Sequence, residues 1–116
     1  MTLAERLNEK LQAHGAVAKR MFSGTAFMIG GNLAIGTHKD GLIVRVGKEA
    51  HAAALKRPGA RIFDMTGRPM EGWVVVDGNA LATSTALTEW IDLALAFVKT
   101  LPVKQVKPVA VKRGKG

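Results

Sequence analysis

Apolar positions recur along this chain in two rhythms, and the switch between them marks out its elements. Leu3, Leu7 and Leu11 are spaced by four, with Glu5, Arg6, Asn8, Glu9, Lys10 and Gln12 between them. That is a single apolar stripe on an amphipathic helix. Thr2 as N-cap and Glu5 three residues on make a capping box, and Gly15 is a natural stop, so the spacing predicts a helix over residues 3–14. Near the other end, Leu87, Trp90, Ile91, Ala94, Leu95, Val98 and Leu101 recur at intervals of three and four. Thr83, Ser84 or Thr85 can cap this final helix, and Pro102 ends it.

The intervening texture is shorter and punctuated by glycine. Residues 25–29 and 33–37 flank Gly30-Gly31-Asn32, whose tolerance of positive φ suits a hairpin turn. Lys39-Asp40-Gly41 supplies a second turn and residues 42–46 a third strand. Alanine-rich Lys48–Leu55 favours a short helix closed by Pro58-Gly59. Residues 61–65 form a short strand, Thr66-Gly67-Arg68-Pro69 a turn, and residues 72–76 a strand stopped by Asp77-Gly78-Asn79. The sum is an α+β fold: an N-terminal helix, an antiparallel meander sheet of about five strands, a short middle helix and a long C-terminal helix. The strands are apolar at odd and even positions alike, as in sheets covered on both faces. The second face is therefore expected to meet helices, a partner or a twin subunit.

Composition narrows the class. A chain of 116 residues suffices for one hydrophobic core, and 47% hydrophobic with 22% charged residues is ordinary for a soluble domain. The absence of cysteine excludes disulfides, thiolate nucleophiles and cysteine-bound zinc, and fits a reducing cytoplasm. No apolar run approaches the ~20 residues of a membrane span, and the first residues lack the pattern of a secretory signal. A cytoplasmic, bacterial-type protein with no membrane association is expected. The net charge of +8 lies largely in one segment: Lys104, Lys107, Lys112, Arg113 and Lys115 follow Leu101 with no acid among them. Setting those five aside leaves 12 basic and 9 acidic residues, a body at +3. The expected organisation is a folded domain over residues 1–101 and a basic, disordered tail over 102–116.

The order of motifs is recognisable. An N-terminal helix is followed by Arg20-Met21-Phe22-Ser23-Gly24, the Gly-Gly-Asn hairpin and Val44-Arg45-Val46-Gly47. Gly67-Arg68-Pro69-Met70-Glu71-Gly72-Trp73-Val74 and a tryptophan-bearing last helix complete the series. Together they resemble the TfoX N-terminal-domain family, named for bacterial regulators of natural competence, over residues 3–101. Ser23 stands where a glycine is common in that family, and the two-domain regulators continue into a second domain where this chain has its lysine-rich tail. The resemblance implies an α+β domain with a regulatory or interaction role in transcription rather than an enzymatic one.

Candidate chemistry is sparse. His14, His38 and His51 have no second histidine or carboxylate at metal-ligand spacing, so no metal is expected. Asp64 is better placed to cap the turn at Thr66-Gly67 than to act as a base. There is no Gly-x-Ser-x-Gly elbow, no Walker-type loop and no dinucleotide fingerprint, so neither an enzyme nor a cofactor is expected. Arg20, Arg45 and Arg68 are the sharpest candidates: brought together, their guanidinium forks would bind a small anion or a partner's carboxylates. The simpler reading pairs Arg45 with Asp64 or Glu49 and leaves the other two solvated. Trp73 is a candidate partner anchor, whereas Trp90 lies on the apolar stripe and belongs in the core. Met21, Met28, Met65 and Met70 read as core fillers. The tail lysines and Arg113 could give weak, non-specific, salt-sensitive nucleic-acid binding, without an aromatic residue to stack on bases. The expected partner is a protein or a second copy of the chain, with nucleic acid through the tail as the alternative.

Overall fold

The computed structural model describes residues 2–21, 24–64 and 69–102. Helix α1 (Leu3–Leu11) opens on the expected capping box: Glu5 N donates to Thr2 Oγ1 at 3.1 Å, and Thr2 N donates to Glu5 Oε1 at 2.8 Å. Its last predicted turn tightens into a 3₁₀ turn (Gln12–His14) that stops at Gly15, with φ 74°.

Six strands follow, one more than the sequence suggested. They are β1 (Val17–Met21), β2 (Gly24–Ile29), β3 (Asn32–His38), β4 (Gly41–Arg45), β5 (Ala60–Asp64) and β6 (Pro69–Val76). α2 (Lys48–Leu55) links β4 to β5, and α3 (Ser84–Val98) closes the domain. The sheet is antiparallel throughout, in the order β1-β2-β3-β4-β6-β5. Strand β1 escapes the pattern because Val17, Ala18, Lys19 and Arg20 are all exposed. It is held by its ladder to β2 rather than by a buried side. Strand β6 begins earlier than expected because Gly72, at φ 92°, sits inside the strand rather than at its start.

Helix α3 confirms its stripe. Thr83 caps it through Ala86 N at 3.0 Å, and Leu87, Trp90, Ile91, Ala94, Leu95 and Val98 are buried. It ends at Val98, so Leu101, expected on the stripe, lies beyond the helix in turns closed by Thr100 N to Phe97 O and Leu101 N to Val98 O. Asn32, buried at the β2–β3 hairpin, donates from Nδ2 to Pro102 O at 2.9 Å and ties the chain after α3 to that turn.

The two faces of the sheet are closed differently. Leu42, Val44, Val74 and Val76 join the main core with Phe27, Ile35, α1 and α3. Ile43 and Val75, between them in sequence, belong to a smaller cluster with Phe63, bordered by Met70 and Trp73. Apolar residues do serve both faces. On the second face, however, the small cluster is closed among the described residues by the sheet's own side chains, Phe63, Met70 and Trp73, and no helix residue joins it.

Candidate functional site

Arg45 ends the apolar strand β4, where alternation turns it to the second face and register sets it opposite Trp73 of β6. Its guanidinium carbon lies 5.3 Å from the Trp73 ring centroid and 5.4 Å from that of Phe97 on α3. The charge thus lies within cation–π reach of two aromatic rings. Nη1 donates to Leu33 O at 3.3 Å. The expected pairing with Asp64 or Glu49 does not form. The ion pairs among the described residues are Lys48–Glu71, Arg57–Glu89 and Arg61–Asp77. Register explains the difference: Asp64 sits on the edge strand opposite Pro69, while Trp73 occupies the place beside Arg45.

Two glycines bring Phe97 to this point. Gly47 (φ 85°) separates β4 from α2, and a Cβ there would collide with the Phe97 ring. Val46 N and Gly47 N both donate to Gly72 O, at 2.8 and 3.0 Å, which fixes the turn into α2. A small cavity of about 140 Å³ opens here, lined by Arg45, Gly47, Lys48, Glu71, Trp73 and Phe97 among others. The far side of Phe97 and the start of α2 border a larger, mainly apolar groove of about 620 Å³ against Leu93 and Ala96.

The aromatic row continues along the second face. Trp73 lies 6.4 Å from Phe63, which meets His38 edge-on at 5.8 Å. His38 Nδ1 is buried and has no hydrogen-bond partner among the described residues. Burial, with Lys39 and Arg61 nearby, holds its pKa below the ordinary 6.5. A separate cavity of about 360 Å³ beside His38 is bordered by Arg61 and Asp77, which pair at 2.6 Å, and by Lys39, Asp40 and Asp64.

Of the other predicted residues, Arg20 is exposed on β1 opposite Thr25. β2 and β3 stand between it and β4, so the two arginines are on the order of 14 Å apart by strand spacing alone. The structure does not bring them together. Arg68, Ser23, Met65, the Thr66-Gly67 turn and the tail cations Lys104, Lys107, Lys112, Arg113 and Lys115 lie outside the described residues. Trp90 is buried, with the Arg57 guanidinium 5.7 Å above its ring. His14 is exposed and His51 half-buried on α2. Among the described residues no three His, Asp or Glu side chains gather as a metal site.

The sequence reading overlooked Phe97, Gly47 and Lys48. Phe97 carried a faint signal, as an aromatic residue off the buried stripe of α3.

The sequence was compared with known families, proteins and structures. The family model for the TfoX N-terminal domain matches residues 9–98. The chain belongs to that family. Within this TfoX N-terminal domain, the matched span runs from α1 to the end of α3 and so contains the whole sheet and the Arg45 clamp. No curated protein and no solved structure gave a significant match.

Proposed function

We propose that this domain is a small, non-enzymatic regulatory module that binds a protein partner, and that the partner adds an acidic, extended segment to the outer edge of β1. The observation that carries this reading is the edge itself. β1 pairs only with β2 among the described strands, and Val17 on it is 57% exposed. An edge strand with unpaired backbone groups is a template for strand addition. Lys19 and Arg20 on the same strand select the occupant. A symmetric pairing of two β1 strands would set these cations against those of the twin, whereas an acidic strand would complement them. Membership of a family named for transcriptional regulators supports the regulatory role.

The test is affinity capture from the protein's own cells with wild type and the K19E/R20E double variant, alongside light scattering. A partner recovered by wild type and lost by the variant supports the proposal. A partner retained by the variant, a stable homodimer, or a strict monomer that recovers nothing overturns it.

A further inference from the structure

The geometry points to a small-molecule site at the junction of β4, α2 and α3, built to take a monoanionic carboxylate carried on an apolar body. It is independent of the β1 edge, which lies across β2 and β3 from it.

Arg45 is the first argument. A guanidinium offers five N–H donors in a planar fork, and among the described residues one hydrogen bond is made, to Leu33 O. The Trp73 and Phe97 rings, with centroids 5.3 and 5.4 Å from its guanidinium carbon, hold the group in place. A contact with a ring face consumes no N–H donor, and the fork's natural complement is a carboxylate. The half-buried setting strengthens such a bond relative to one made in open water.

Lys48 is the second. It lines the same cavity, and its contact with Glu71 is long, at 3.9 Å between two exposed side chains. That weak pair leaves the ammonium available to an incoming anion. Charge balance favours one negative charge over two. Arg45 and Lys48 are offset by Glu71 in the cavity and by Glu49 at the start of α2, so the surroundings hold no surplus of positive charge to neutralise a phosphate dianion, whereas one carboxylate can be met by the Arg45 fork alone.

The groove is the third. Phe97, Gly47 and Lys48 border both the small polar cavity and the larger groove, so the two spaces share a wall. Val46, Ala50, Leu93 and Ala96 supply the apolar surface. A groove of about 620 Å³ is in the range that encloses small ligands. One end of a bound molecule would then meet Arg45 while the rest lies along α3.

Octanoate is a suitable probe, with acetate and octylammonium as controls, titrated into the full-length ¹⁵N-labelled protein. The expected result is shifts at the amides of Gly47, Lys48 and Glu49 and at the Trp73 indole. Acetate and octylammonium should each bind about tenfold or more weakly, since each lacks one half of the recognition. Arg45→Gln should weaken octanoate by a similar factor. Ala96→Phe, at an exposed position where folding is not at stake, should do so by filling the groove. Absence of binding overturns the proposal, as do equal affinity for octylammonium, shifts centred elsewhere, or octanoate affinity unchanged in Ala96→Phe.

Discussion

Leu42 and Ile43 are neighbours on one strand, yet they belong to different interiors. Leu42 faces the helices, fully buried in a core shared by α1, α3 and the middle of the sheet. Ile43 is 3% exposed, but among the described residues its cluster consists of the sheet's own side chains, Phe63 and Val75 with Met70 and Trp73 at its border. Equal burial thus conceals unequal depth. The helix-covered face is where stability is concentrated. The self-covered face carries His38, the Arg45 side chain beside Trp73 and the cavity at His38, while the larger groove opens between α2 and α3.

The sharpest way to break this comparison is to truncate both neighbours. Leu42→Ala should cost about 4 kcal/mol and Ile43→Ala about 2 kcal/mol, because a thin layer can settle or admit water where a deep core is left with a cavity. Urea denaturation of both variants measures the gap, and equal losses would show the second face to be packed as deeply as the first. Gly47→Ala probes the seam where the two faces meet. Positive φ and the collision with Phe97 should together cost about 2 kcal/mol and displace Phe97 from Arg45. A variant as stable as wild type, with unchanged Trp73 and Phe97 resonances, would refute that account of the seam.

The smallest effect expected is a pH dependence specific to the self-covered face. Burial, reinforced by Lys39 and Arg61, keeps folded His38 below its ordinary 6.5, so the unfolded chain takes up this proton first as pH falls. The contribution is complete above 6.5 and declines as pH drops from 6.5 towards the folded value. Urea midpoints between about pH 7 and about pH 5 should therefore fall more steeply in wild type than in His38→Gln. Identical slopes would remove His38 from the account.

How far the sequence revealed this molecule depends on what each residue answers to. α1 and α3 were legible because their burial is periodic, and the hairpin because Gly30 and Gly31 both take positive φ. β1 was not, since none of its exposed residues bears the imprint of a core. The site was half legible. Arg45 stood out as a charge on an apolar strand, but a nearby acid was the obvious partner. Its actual partners, Trp73 and Phe97, come from strand register and from two glycines that let a helix close on a turn. Neither is written in local spacing.

The strand order has a consequence for assembly. β1 to β4 are neighbours in space as in sequence, so each can pair as soon as the one before it exists. β5 cannot do the same. Among the described strands its sole partner is β6, which comes later in the chain and must enter between β5 and the open edge of β4. Until then β4 presents a bare apolar edge that a foreign strand could occupy. Pulsed hydrogen exchange during refolding should accordingly find the amides of β2 and β3 protected before those of β5. Conditions that slow the β6 insertion should be the ones under which this chain aggregates.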